Sequence, residues 1–293
     1  MAATYDRSAE DLGNIVHLEH LNCLIPDQRL STLFYISGLG LTRDPYLMTS
    51  VDNMWVNVGR SQFHLITGKP QVLRGRTGLV IPDREALLKR LERVKEPLKD
   101  TKFSYQAHND YVDTVCPWGN KIRVHEPDER RFGRTQLGMA YLELHVPPGS
   151  ADAIAKFYRA MLNAPAKVET EDGARVAHIQ AGHCQELVYR ETTDPIPEYD
   201  GHHLQIYITD FSGPHKKLKE KGLVFEESDQ WQYRFKDIVD LDTGKHLFTV
   251  EHEVRSMTHP LYARPLVNRN PDQTNRTYRA GYETESWSLP YAS

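Results

Sequence analysis

The chain has 293 residues, 39% hydrophobic and 26% charged, with a formal net charge of -4. That composition excludes wholesale disorder, and the absence of any long block of one charge sign argues against nucleic acid or an anionic membrane as partner. No apolar run reaches the roughly 18 residues of a membrane span, and Met1-Ala-Ala-Thr-Tyr-Asp-Arg7 lacks a signal-peptide core, so the cytoplasm is the expected compartment.

The first predicted element is a strand leading into His20-Leu-Asn-Cys-Leu-Ile-Pro-Asp27. After Asp27 a helix places Leu30, Leu33 and Phe34 on one stripe and stops near Gly38 and Gly40; short strands follow, the last running from Gly59 to His64. The order then repeats. Arg76-Thr-Gly-Leu-Val-Ile-Pro-Asp83 precedes a helix with Leu87, Leu88, Leu91 and Val94, and Gly119 to Arg123 forms the closing strand. The polar, proline-containing stretch Glu126-Pro-Asp-Glu-Arg-Arg-Phe-Gly133 divides an amino-terminal pair of units, 1–130, from a carboxy-terminal pair, 131–255. Tyr141-Leu-Glu-Leu-His-Val-Pro-Pro148, a helix with Ile154, Phe157, Tyr158 and Met161, and a strand from Gly182 to Glu186 make the third unit. His203-Leu-Gln-Ile-Tyr-Ile-Thr-Asp210, a short lysine-rich helix around Leu218 and a strand from Gly244 to Phe248 make the fourth. The pattern ends after Glu253, and 256–293 reads as an extended tail. Cys23, Cys116 and Cys184 are odd in number and far apart, which indicates buried thiols in place of disulfides or a zinc finger.

The paired positions 20/64, 76/123, 141/186 and 203/248 lie 44, 47, 45 and 45 residues apart. So regular a spacing specifies four βαβββ modules of the α+β class. At roughly sixty residues, none can bury its own sheet face, so the modules must pack in pairs.

The histidine and the aspartate seven residues on, the Phe34-Tyr35 pair before Gly38-Leu-Gly-Leu41, and Gly119-Asn-Lys-Ile-Arg123 resemble units of the vicinal oxygen chelate superfamily, over about residues 15–255. That superfamily includes glyoxalase I, the fosfomycin and bleomycin resistance proteins, and the extradiol dioxygenases. The resemblance implies that paired modules curl into cup-shaped half-barrels with a metal between first and last strands. The eight positions that would face the two cups are His20, His64, Arg76, Arg123, Tyr141, Glu186, His203 and Phe248; Arg123 stands where the family usually holds a glutamate.

Charge decides between the two ways of pairing. Neighbouring modules would place Arg76 and Arg123 beside His20 and His64 with no acid, and arginine does not shed its proton. Pairing the outer modules with each other gathers His20, His64 and His203 with Phe248, and leaves Arg76, Arg123, Tyr141 and Glu186 as a neutralising ion-pair cluster. The outer cup is then the expected metal site, with His20, His64 and His203 as ligands. Asn22, Gln205 and Phe248 are expected to bind substrate, and His252 and Tyr207 to assist catalysis. Each assignment has a structural counterpart: a strand histidine is more often a satisfied core residue, and Phe248 is most simply packing. In the neighbour-paired alternative Glu186, His203 and Tyr141 would be the ligands.

Neutral imidazoles suit Fe(II), expected first, as well as Zn, Ni or Mn. The four-module build favours an extradiol-type dioxygenase acting on a small phenolic or other bidentate oxygen substrate. The matching positions Tyr141, His203 and Phe248 depart from that family's two histidines and one glutamate. A glyoxalase-like lyase or isomerase and a metal-free small-molecule binding protein are the alternatives. The expected partner is a small molecule, with neither nucleic acid nor membrane, and a homo-oligomer is open.

Overall fold

The computed structural model describes residues 5–44, 51–264 and 266. The first module comprises β1 (Ile15–Asn22), the helix α1 (Gln28–Ser31) continued by a wider turn over Thr32–Gly38, and the strands β2 (Thr42–Arg43), β3 (Asn53–Val58) and β4 (Ser61–Ile66). The second has β5 (Gly75–Val80), α2 (Arg84–Lys95), β6 (Ser104–Ala107), β7 (Tyr111–Val115) and β8 (Lys121–His125). A one-turn helix, α3 (Glu129–Phe132), occupies the expected junction. The third module is β9 (Gly138–Val146), α4 (Ala151–Leu162), β10 (Ala166–Glu171), β11 (Ala174–Gln180) and β12 (Glu186–Glu191). The fourth is β13 (His203–Ile208), α5 (Ser212–Glu220), β14 (Val224–Asp229), β15 (Gln232–Val239) and β16 (His246–Ser256).

The recurring aspartates have a local cause. Asp27 Oδ1 accepts from Leu30 N and Asp83 Oδ1 from Ala86 N, both at 2.9 Å, so each satisfies an orphan amide at a helix start. The repeated apolar-run-then-aspartate motif is therefore a strand followed by a helix cap.

Two eight-stranded sheets result. One runs β14-β15-β16-β13-β1-β4-β3-β2 and the other β10-β11-β12-β9-β5-β8-β7-β6. The first and fourth modules thus join through antiparallel β1 and β13, and the second and third through antiparallel β5 and β9. Each sheet takes strands from both halves of the chain, on either side of α3. The alternates Leu18 and Leu21 on β1 and Leu204 and Ile206 on β13 enter an apolar core shared with Phe34, Tyr35, Phe157 and Tyr158. The opposite faces carry the polar residues.

The glycines expected to open the closing strands lie in the turns ahead of them. Those strands begin at Ser61, Lys121, Glu186 and His246, and β16 continues to Ser256. Of the expected tail, 256–264 folds back in turns over the far end of the first sheet: Tyr262 packs on Tyr207 at 4.8 Å, and Arg264 Nη2 donates to Asp44 Oδ2 at 2.6 Å. The rest, apart from Leu266, lies outside the described residues. No helix among the described residues is long and apolar enough to cross a membrane.

Candidate metal centre

β1 lies between β13 and β4, with His20 opposite Gln205, and Asn22 opposite both His203 and His64. Because β13 also pairs with β16, His203 lies beside Glu251 and Gln205 beside Glu253. Rings from the two ends of the chain therefore meet: His20 is 5.8 Å from His203 and 5.9 Å from His64 between centroids. A cavity of about 430 Å³ opens beside them, lined in part by His20, Asn22, Trp55, His64, His203 and Glu253.

The donor atoms that converge are those of His20, His203 and Glu253, all within 4.8 Å of one another. His20 is buried, its Nδ1 lies 2.6 Å from Glu19 Oε2, and its Nε2 has no protein partner. His203 Nε2 is 3.6 Å from Glu253 Oε2, and its Nδ1 is 3.7 Å from Glu251. Burial pushes His203 down to about 3, which keeps its imidazole neutral and able to donate a lone pair. Glu253 is held at about 2: burial opposes its charge, but the guanidiniums of Arg255 and Arg234 outweigh that. Arg234 pairs with both Glu251 and Glu253, and Arg255 Nη2 reaches Glu253 Oε1 at 2.5 Å. A carboxylate has about four lone-pair directions, so guanidinium contacts leave room for a cation. Two imidazoles, one of them with a buried orphan nitrogen, and a carboxylate beside a cavity fit a divalent metal ion.

Several expected site residues are placed differently. His64 lines the cavity, but Asn22 Nδ2 lies 2.7 Å from its Nδ1 and Asn53 Oδ1 2.9 Å from its Nε2, and its ring stacks on Trp55 at 3.7 Å. With both nitrogens engaged it is a wall of the site, and the third converging donor is Glu253. His252 faces away from the cup: its Nε2 accepts from Tyr158 at 2.5 Å, its Nδ1 donates to Val250 O at 2.8 Å, and it stacks on Phe235 at 4.2 Å. Phe248 is likewise turned away, with the Arg74 guanidinium 4.1 Å above its ring and Tyr189 at its edge. The physical reason is strand parity. On β16 the cup-facing side chains are Glu251, Glu253 and Arg255, whereas counting from Gly244 to 248 selects the alternates that face the core.

Gln205 is on the same face of β13 as His203 but fully buried outside the cavity lining, with neither amide atom bonded to protein. Tyr207 lies deeper along β13, outside the cavity lining; burial pushes its hydroxyl up, and Arg255 lies beside it.

In the inner cup Tyr141 covers the middle of β5. A Cβ on Gly78 would lie 2.1 Å from the Tyr141 ring, so Tyr141 lies flat across β5, with its hydroxyl 3.0 Å from His125 Nε2. The arginines there are paired, but not with Glu186. Arg76 binds Glu143 at 2.9 Å, Arg123 binds Asp113 at 2.8 and 2.9 Å, and Glu186 turns to His178 at 3.0 Å. The expected four-residue cluster is thus four separate contacts, because Glu143 and Asp113 lie nearer the guanidiniums across the strands and Tyr141 and Glu186 turn to histidines.

Compared by sequence, the chain matches no protein-family model and no curated protein. Compared by structure, it is similar to glyoxalase I from Zea mays, with a TM-score of 0.57 at 12% identity, covering 82% of this chain and 92% of that one. A Bacillus subtilis protein provisionally described as a dioxygenase is similar at TM-score 0.54 and 14% identity, covering 84% of this chain and 86% of that one.

Proposed function

From the vicinal oxygen chelate fold of this chain, we propose that its outer cup is the active site of a metal-dependent enzyme acting on a small substrate that chelates through two oxygens. The observation that carries this reading is the convergence of His20, His203 and Glu253 at the wall of a cavity of about 430 Å³, the size of a small-molecule site. These three residues would hold the metal. Once bound, it would polarise the chelated oxygens and ease their deprotonation.

The remaining roles belong to the protein. Asn22, Gln71 and Arg255 line the cavity and offer polar atoms to an oxygen-rich ligand. Trp55, Leu24 and Ile66 offer an apolar wall to a ring, and Asn22 holds His64 against Trp55. His64 is kept neutral by burial, and with Asn22 and Asn53 on its two ring nitrogens it serves as a fixed wall of the cavity.

Two histidines and one carboxylate with open positions are the donor set of non-haem Fe(II) oxygenases, so oxygenation of a phenolic or catecholic ring with Fe(II) is the first reading. A glyoxalase-like lyase or isomerase using Zn or Ni is the second, supported by the likeness to the maize fold. Elemental analysis of the purified protein, combined with oxygen uptake in the presence of a catechol, tests this. Iron with oxygen uptake supports the dioxygenase, and zinc or nickel without uptake the isomerase. Absence of metal supports a metal-free binding protein, and the same metal at equal content in wild type and His203→Ala overturns the site.

A further inference from the structure

Along a regular strand, neighbouring side chains point to opposite faces. Glu19 and His20 nevertheless lie together under the outer cup. The pairing of β1 with β13 shifts between Leu18 and His20, the mark of a β-bulge, which leaves Glu19 outside the ladder and beside its neighbour. Both are enclosed, Glu19 at 5% and His20 at 1% exposure, and Glu19 Oε2 is 2.6 Å from His20 Nδ1.

A carboxylate only accepts hydrogen bonds, so the imidazole proton resides on Nδ1 and the lone pair on Nε2. That Nε2 is buried and has no protein partner. We infer that Glu19 is a positioning residue: through the bulge it fixes the tautomer and orientation of His20, and its charge makes Nε2 a stronger metal donor. The inference rests on the reading of His20, His203 and Glu253 as metal ligands.

A purely structural role for Glu19 would be as counter-charge to Arg255. The distances favour the imidazole. Arg255 Nη1 is 3.9 Å from Glu19, while its close contacts go to Glu253 at 2.5 Å and to Gln232 at 2.8 Å. Carboxylate–histidine–metal chains of this type change metal affinity by about 10- to 100-fold when the outer carboxylate is lost.

The test compares the full-length wild type with Glu19→Gln, Glu19→Leu and His203→Ala, each stripped with a chelator and titrated calorimetrically with Co(II). Imidazole nitrogen NMR of the metal-free proteins reports the tautomer, and urea midpoints report folding. Glu19→Leu is expected to bind Co(II) about 10- to 100-fold more weakly and to lose the fixed Nδ1–H tautomer of His20. Glu19→Gln keeps an acceptor and loses the charge, so the tautomer is retained and affinity falls by a smaller factor. Wild-type affinity in folded Glu19→Leu, alongside weakened binding in His203→Ala, overturns the role of Glu19 and leaves the metal site standing. Unchanged affinity in His203→Ala removes the site and the inference with it. Should Glu19→Leu fail to fold, Glu19→Gln decides: wild-type affinity there overturns the inference.

Discussion

His252 is completely buried and hydrogen-bonded as a neutral ring, and this sets a measurable acid sensitivity. Val250 O can only accept, so Nδ1 carries the proton; Nε2 must then accept from Tyr158, which in turn accepts from Tyr189. Burial lowers the pKa from 6.5 to about 3. The sign follows from linkage. Below pH 6.5 the unfolded chain takes up a proton at this residue while the folded one does not, so stability is full above 6.5 and falls as pH drops towards 3. The slope is about 1.4 kcal/mol per pH unit, so at about pH 5 the loss is roughly 2 kcal/mol, insensitive to the folded value as long as that stays well below 5. His252→Gln cannot titrate. At about pH 7.5 it should be less stable than wild type by about 1 kcal/mol, for the lost stacking on Phe235. At about pH 5 the order should reverse, the difference having moved by roughly 2 kcal/mol. Urea unfolding at the two pH values measures this. A stability difference that does not change with pH would refute the placement of His252 in the core and return it to the cup.

Three further outcomes are expected. Gly59 has φ +65°, and a Cβ there would lie 2.0 Å from Leu137 O, where the turn before β4 meets the start of β9; Gly59→Ala should cost about 1–3 kcal/mol, read as a lowered melting temperature. Arg234→Leu leaves Glu251 and Glu253 short of a counter-charge. The metal-free variant should lose about 3 kcal/mol, and saturating divalent metal should restore most of it, which thermal denaturation with and without metal checks. Trp55 lies 4.9 Å from the His20 ring, so Co(II) should quench a fluorescence component that Trp55→Phe lacks; equal quenching in both proteins would place the metal elsewhere.

The outer pairing expected from charge agrees with the sheets, but its premise does not hold: Asp113 of the same module neutralises Arg123, and Glu143 across the strands neutralises Arg76. The sheet orders join the first module to the fourth and the second to the third. Glu143 and Asp113 were missed as partners of Arg76 and Arg123 because cross-strand neighbours are set by register, which no local pattern reports. Glu253 had a usable signal. It alternates with buried Val250, His252 and Val254, and a strand allowed to run past residue 248 would have brought it forward.

What the amino-acid order determined by itself is the modular plan. Aspartate caps, apolar stripes and the 44- to 47-residue spacing are local or periodic properties, and they specify four βαβββ units whatever surrounds them. The tertiary structure alone decided which atoms meet. A bulge at Glu19, the extension of β16 to Ser256 and the parity of Glu253 depend on hydrogen-bond partners from distant segments, and a one-residue offset in any of them turns a side chain from the cup to the core.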